Sequence, residues 1–457
     1  MNDYFLKNKS KSNVVFLGIG GISMSALALC LKERGFNVGG FDRTIGHTTD
    51  LLKESGIKVN DQSIIESCDF AVASSAISQT DENLLKLKSL NKPIISRAEL
   101  LNEISKTFPS VIGISGTHGK TTCTALAAHI FYAAKLNFTV HVGGEDVSFG
   151  NYKSFGDDFF ISEVCEYKRN LRYFSPSVGV VLNVDDDHLD SYGDFDSLKK
   201  EFYSYSKRSK VAVINADDVL YEIIKSDKKS NAVTFSVKDG KADYYAKNLC
   251  VKDGKLCMTV YEKGKELFSF SSMYLGLHDA TNVLAATAAA RVYNLSPIYL
   301  KRGIQDFRGV KRRNEIMGAY LGVKVIGDYA HHPTQIKVML SEYEKKFASG
   351  YSVLFQPHTY SRTQRLFGEF VEALKNVKNL YVFETYAARE KFNEAGSSKT
   401  LCRSLKNANY AGKIENAGSI MDECAKTGKP IIVLGAGNLY DFIKNLLKKR
   451  KLNKTRV

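Results

Sequence analysis

None of the eight cysteines stands in a C-x-x-C pair, and the closest two are Cys250 and Cys257. Zinc ribbons and thioredoxin-type motifs are thereby excluded, and scattered thiols predict a reducing, cytoplasmic setting. Long apolar runs are also missing. One stretch imitates a signal peptide or a short span, Val14 to Leu31 behind Lys7, Lys9 and Lys11, but Gly18, Gly20, Gly21, Ser23 and Ser25 interrupt it. A span needs about 18 uninterrupted apolar residues, so this stretch reads instead as a β-branched strand, VVFLG, followed by a glycine turn and a helical run, MSALALCL. No membrane insertion is expected. Proline occurs only seven times, no low-complexity linker is present, and 44% hydrophobic with 25% charged residues is ordinary globular composition. At about 100 to 200 residues per domain, 457 residues predict roughly two to four domains.

A dense basic and aromatic stripe is absent too. The net charge is +15, but seven Lys or Arg and no acid lie between Phe442 and Val457, and the rest of the chain carries a surplus of only +8. No nucleic-acid partner is expected, and the basic end reads as a solvated helix terminus.

What is present is a repeated βαβ rhythm. VVFLG, NVGGFD, IKV, FAVASS and PIIS alternate with amphipathic segments up to about Leu101. SVIGISG opens a second unit, continued by FFISEV, VGVVLNV, VAVINAD and AVTFS. A third begins near Arg312 with VKVIGDYA, SVLFQPH, NLYVFETY and PIIVLGAG. The expected fold class is α/β, with three consecutive domains, each a mostly parallel sheet flanked by helices. Pro109 marks the first boundary, giving 1–108, 109–311 and 312–457.

The second unit carries the strongest motif. GISGTHGKTT, Gly113 to Thr122, lies between an apolar strand and a helical run. Strict Walker spacing fails, because Ile114 stands five before Gly119, yet strand, glycine loop, Lys-Thr and helix are the context of a phosphate cradle. Gly116, Thr117, His118, Gly119, Lys120, Thr121 and Thr122 are the candidate ATP-binding residues. Lys120 is placed to reach the phosphates and the Thr121 hydroxyl to ligate Mg²⁺. Cys123, in the first turn of the following helix, is expected to be the most reactive thiol, and Cys165, between Glu163 and Glu166, a slow one. Two further strands of this unit run into Glu163 and Glu166, and into Asp185, Asp186, Asp187 and His188. Ligands bind outside the carboxyl ends of strands in such sheets, so these side chains should face the loop. Glu163 with Thr121 suits a nucleotide-bound Mg²⁺, and His188 suggests a second metal site.

GIGGISMS, Gly18 to Ser25, is an incomplete dinucleotide fingerprint, with Ser23 in place of the third glycine and Asp42 where a ribose acid would lie. A nucleotide diphosphate is the predicted ligand. His331 and His332, beside Pro333, read as backbone-bonding residues, and Arg308, Lys311 and Arg312 as solvated ones. Arg362, four residues after His358 and behind the strand SVLFQP, is a suitable carboxylate fork.

GIGGISMS, GTHGKTT, SEVCEY and DHLDSYGDF together resemble the Mur ligase family. LGLHDATNVLAATAAA, FRGVKRRNE, DYAHHPTQI, FQPHTYSRT, YAAREKF and VLGAGN then follow in the order of those members that add L-alanine to UDP-N-acetylmuramate. The resemblance implies a cytoplasmic ATP-dependent carboxylate–amine ligase of peptidoglycan precursor synthesis, a monomer or homodimer using ATP as co-substrate and two Mg²⁺ ions. It implies that Lys120, His188, Arg313 and Asp328 are catalytic and that Thr121, Glu163 and His188 hold metal. His278, Asn282, Arg313 and Asp328 would contact ATP, and His358 and Arg362 the alanine carboxylate. Gly18, Gly20, Gly21, Ser23, Met24, Ser25 and Asp42 would bind the sugar nucleotide. Ser23, Asp279 and Thr359 depart from the usual family residues. Two alternatives stay open: a Mur-type ligase adding another amino acid or a peptide, and a basic P-loop ATPase acting on nucleic acid, which leaves QPHTYSRT and the first glycine loop unexplained.

Overall fold

A computed structural model of the protein describes residues 11–186, 189–227, 231–253, 255–388 and 390–454. They divide into two compact units, 1–310 and 311–457. Two sheets lie in the first unit. One has five parallel strands in the order Lys58–Val59, Asn37–Phe41, Asn13–Leu17, Phe70–Ala73, Ile94–Ser96. Chain direction along the sheet reverses between Asn13–Leu17 and Phe70–Ala73, which opens a crevice at the carboxyl end of the first strand, where Gly18 follows.

The second sheet has ten strands. Its order is Lys265–Ser272, Lys255–Glu262, Tyr244–Lys252, Ala232–Ser236, Val211–Asn215, Val178–Val181, Ser110–Ser115, Phe159–Glu163, Phe138–Asp146, Gly150–Ser154. Pairing is parallel from Tyr244–Lys252 through Phe138–Asp146 and antiparallel at both margins. Those antiparallel margins are absent from the sequence-based strand list. One turn there was legible: Lys263 and Gly264 take φ of 47° and 85°, the paired left-handed residues of a two-residue hairpin. Helix Lys120–Ala133 is buried on nearly every side, so its apolar residues do not show the one-sided stripe of a surface helix.

The two sheets of this unit share a core. Val14, Phe16 and Phe70 belong to the same apolar cluster as Phe160, Phe202 and Tyr205, and Phe108 stacks on Phe160 with ring centroids 4.8 Å apart.

The unit 311–457 holds a six-stranded sheet in the order Glu315–Tyr320, Val323–Asp328, Ile431–Leu434, Ser352–Phe355, Leu380–Phe383, Ala408–Gly412. Only Glu315–Tyr320 is antiparallel. Helices cover both faces, with separate apolar clusters around Phe355 and Phe370 and around Phe383 and Met421. The basic end is a helix, Leu439–Lys454. Arg450 lies over the Tyr320 ring (4.3 Å) and pairs with Asp422 (3.1 Å), so that part of the terminus packs instead of remaining fully solvated. Among the described residues no helix is long and apolar enough to cross a membrane.

Candidate active site

The phosphate-type loop forms where strand Ser110–Ser115 gives way to helix Lys120–Ala133. Gly119 is the N-cap, with φ +84°, and a side chain there would overlap the Asn282 amide. Glycine is needed for both reasons. The end of strand Val178–Val181 braces the loop. Thr117 N–H donates to the Asn183 carbonyl (3.0 Å), His118 N–H to the Asn183 side-chain oxygen (2.8 Å), and Asp185 N–H to the Thr117 hydroxyl (2.9 Å). His118 Nε2 lies 2.9 Å from the Asp185 carboxylate.

Lys120 Nζ donates to both oxygens of Glu166 (3.0 and 3.2 Å) and to the carbonyls of Thr117 (3.1 Å) and Gly116. The Glu166 side chain is only 1% exposed. Burial works against the ammonium, but Glu166, with Cys165 and Glu163 behind it, holds the Lys120 pKa above the ordinary lysine value. A positive charge is therefore fixed at the mouth of the loop. Thr121 Oγ1 donates to Glu163 Oε2 (2.8 Å), and the Gly143 N–H donates to the same oxygen (3.1 Å). Hydroxyl and carboxylate at a phosphate-loop helix are the hard oxygen donors that Mg²⁺ takes, so Thr121 and Glu163 fit such an ion. Asp187 and His188 lie outside the described residues. Thr122 is buried.

His278, Asp279 and Asn282 gather at the start of helix Asp279–Arg291. Asp279 accepts from Gly276 N–H (3.0 Å) and from Asn282 Nδ2 (3.0 Å) and lies 3.3 Å from His278 Nε2. Asn282 thus stands against the phosphate loop at Gly119, and Asp279 ties it to the helix start.

Around the first glycine loop, Gly18 takes φ +82°, and Gly18 and Ile19 N–H groups both donate to the Phe41 carbonyl (2.8 and 3.1 Å). Asp42 Oδ2 accepts from Gly20 N–H (2.8 Å), so this acid braces the loop. Gly21 is the N-cap of helix Ile22–Glu33. Met24 and Ser25 are turned inward: Met24 belongs to the apolar core, while Ser25 Oγ donates to the Ile22 carbonyl (3.0 Å) and accepts from Asn151 (2.8 Å).

In the unit 311–457, Asp328 is 5% exposed and accepts from the N–H groups of Asn314 (2.7 Å) and Ala330 (2.8 Å). Arg313 lies over the Tyr329 ring at 5.2 Å. Arg362 Nη1 is 3.3 Å from His358 Nδ1, and the His358 ring lies 5.8 Å from His331 and 5.5 Å from Tyr386. Burial and then the Arg362 charge push the His358 pKa down to about 4. His358 is therefore neutral near pH 7, and Arg362 is the cation of the pair. Thr359 occupies φ +67°, where a β-branched residue is strained.

Two expectations are corrected. Cys123 is fully buried, and burial raises its thiol pKa; its side chain packs into the helix–sheet core, where desolvation outweighs the helix dipole. Arg312 is only partly solvated: it pairs with Asp441 and lies over the Tyr440 ring at 4.5 Å. The Cys165 thiol is pushed up to about 11 by burial and then Glu166, the direction expected of a slow thiol, and His331 Nδ1 meets the Tyr329 carbonyl (2.9 Å) while His332 caps helix Pro333–Lys346. Brief alkylation of the folded protein is expected to label exposed Cys250 first and Cys123 only after unfolding. Peptide mapping checks this.

Sequence reasoning missed Gly143 and Gly144. A Cβ on Gly143 would overlap the Glu163 carboxylate, and one on Gly144 would lie 2.8 Å from Thr121 Cγ2. Adjacent glycines in a strand were the available signal.

Three family models match in chain order: "Mur ligase family, catalytic domain" over 13–109, "Mur ligase middle domain" over 114–290, and "Mur ligase, glutamate ligase domain" over 312–437. The chain belongs to the Mur ligase family. Relatives within the family include a UDP-N-acetylmuramate–L-alanine ligase of Clostridium kluyveri, 39% identical over 95% of this chain and 97% of that protein. One from Caldicellulosiruptor bescii is 36% identical over 98% and 99%. Among solved structures, the UDP-N-acetylmuramate–alanine ligase of Thermotoga maritima superposes with TM-score 0.82, at 25% identity over 96% of this chain and 99% of that one. A murein peptide ligase of Psychrobacter arcticus shares the fold, with TM-score 0.74 at 20% identity over 95% and 98%.

Proposed function

We propose that this protein joins L-alanine to the lactoyl carboxylate of UDP-N-acetylmuramate with consumption of ATP, a cytoplasmic step of peptidoglycan precursor synthesis. The observation that carries the reading is the likeness to UDP-N-acetylmuramate–L-alanine ligases along nearly the whole chain. The braced phosphate loop with its fixed lysine supports it.

In this reading residues 1–108 hold the sugar nucleotide at Gly18, Gly20, Gly21 and the first turn of the following helix. Residues 109–311 hold ATP, and residues 312–457 hold the amino acid. A free carboxylate is a poor electrophile. The γ-phosphoryl group passes from ATP to a lactoyl carboxylate oxygen, which gives ADP and an acyl phosphate. The unprotonated amine of L-alanine then attacks the carbonyl carbon, the carbon–oxygen bond to phosphate breaks, and the amide forms with loss of the amine proton. Lys120 and the loop N–H groups neutralise charge on the phosphoryl oxygens. Thr121 and Glu163, with His188, would hold Mg²⁺, which when bound shields the phosphate charges. Arg362 fixes the alanine carboxylate through its planar fork, and neutral His358, whose Nδ1 faces Arg362, orients that fork. Arg313 and Asp328 are assigned to ATP from the third domain.

Mass spectrometry of products from UDP-N-acetylmuramate, ATP and a mixture of amino acids tests the proposal. The dominant product should carry one alanyl residue. A different residue or a peptide adduct would move the chain to another Mur-type activity, and no adduct would reject the reading. Arg362→Ala is expected to raise the KM for L-alanine far more than that for ATP, by roughly ten- to a hundredfold, because a charge-assisted hydrogen bond is worth about 1.5 to 3 kcal/mol. Steady-state kinetics with each substrate varied checks it, and an effect confined to ATP would place Arg362 at the nucleotide.

A further inference from the structure

Strand Phe138–Asp146 carries a histidine that the proposed reaction does not use. His141 is 2% exposed between Val140 and Val142, where another apolar residue would serve the sheet. Burying an imidazole is costly unless its nitrogens are bonded, and both are. Nε2 lies 2.8 Å from Ser23 Oγ and Nδ1 lies 3.0 Å from Ser162 Oγ. The bonds continue at both ends. Arg97 Nη1 donates to Ser23 Oγ (3.2 Å), and Ser162 Oγ donates to the Glu163 carbonyl (3.1 Å).

The Glu163 end and the neutral ring fix the direction of every bond. A carbonyl only accepts, so Ser162 spends its single proton on the Glu163 carbonyl and accepts from His141 Nδ1–H. Burial and then the Arg97 charge hold the His141 pKa down and keep the ring neutral, so Nε2 is an acceptor. Ser23 therefore gives its own proton to Nε2 while it accepts from Arg97. The result is one unidirectional chain, Arg97 to Ser23 to His141 to Ser162 to Glu163. It begins at Arg97, passes through Ser23 in the first turn of the helix behind the first glycine loop, and ends on the backbone of the acid that shares a hydrogen bond with Thr121. Ser23, which breaks the glycine fingerprint, supplies the hydroxyl that makes the connection.

We propose that His141 is a positioning residue that couples occupancy of the first glycine loop to the placement of Glu163 at the phosphate loop. The proposal rests on the assignment of the first loop to the sugar nucleotide. A diphosphate bound there attracts the Arg97 guanidinium, changes what Ser23 accepts, and through the polarised chain shifts the Ser162–Glu163 segment. Coupling between binding sites is reciprocal, so sugar nucleotide and Mg-nucleotide should each tighten the other.

Calorimetric titration with Mg²⁺ and a non-hydrolysable ATP analogue, with and without saturating UDP-N-acetylmuramate, tests this. In the native protein the sugar nucleotide should tighten nucleotide binding about tenfold, within the usual range of coupling. In His141→Val that ratio should fall to about one while the nucleotide binds alone as before. His141→Asn reaches only toward Ser162 and His141→Gln only toward Ser23, so both should lose the ratio too. Ser23→Ala should lose it as well, and Ser23→Ala with His141→Val should be no worse than either alone. This surface-side change keeps the test open if a core variant folds poorly. A native ratio near one, or a His141→Val ratio equal to the native one, overturns the proposal. If Asp42→Ala leaves UDP-N-acetylmuramate affinity intact, the assignment of the first loop fails, and the proposal with it. That outcome is read in sugar-nucleotide affinity, separately from the coupling ratio.

Discussion

Lys120→Ala is expected to reduce ligation by at least about a thousandfold, at the upper end of what one lost transition-state charge contact costs, while UDP-N-acetylmuramate still binds. The lysine is the charge fixed beside the Gly116 and Thr117 carbonyls, and the proposed sugar-nucleotide residues lie on a different sheet. The substitution has a second consequence. It leaves Glu166, 1% exposed, without its ammonium, and breaking a buried ion pair by removing one partner costs about 3 to 5 kcal/mol. Thermal unfolding should therefore show a marked loss of stability, and adding Glu166→Gln should recover much of it without recovering ligation. Calorimetry with UDP-N-acetylmuramate completes the check: an equal loss of sugar-nucleotide affinity would sink the division of roles between the two sheets. His188→Ala is expected to share the catalytic loss.

Gly143→Ala should lower the apparent Mg²⁺ affinity by about ten- to a hundredfold, the usual cost of disturbing the groups that orient a metal ligand. The methyl group would occupy the space of the Glu163 carboxylate. Glu163 must then swing away, and it loses the Gly143 N–H and Thr121 hydroxyl bonds at once. Strand pairing of Phe138–Val140 with Phe159–Ile161 does not depend on the missing side chain, so the fold should persist. A Mg²⁺ titration of ATP-dependent ligation, run beside a melting curve, separates the two effects. Unchanged Mg²⁺ dependence would show that Glu163 is not a ligand.

Local order was readable wherever neighbours in the chain suffice. Strand, glycine loop and Lys-Thr before a helix can be read from Gly113 to Thr122 because backbone conformation and helix start are set within a few residues. All five strands of the first sheet follow from short apolar runs between amphipathic segments. The antiparallel margins were missed because they lie outside the βαβ rhythm, although the Lys263–Gly264 turn was in view. Cys123 was misjudged because proximity along the chain to Lys120 says nothing about which way a helical side chain points.

The sequence by itself determined the α/β class, the order of the elements and the two glycine loops, since hydrophobic period and turn chemistry are local properties. Tertiary structure decided which polar groups meet. Lys120 finds Glu166 across 46 positions, and Ser23 finds His141 across 118. No periodicity connects such distant positions. Their pairing is imposed when sheets pack and buried polar atoms must find partners.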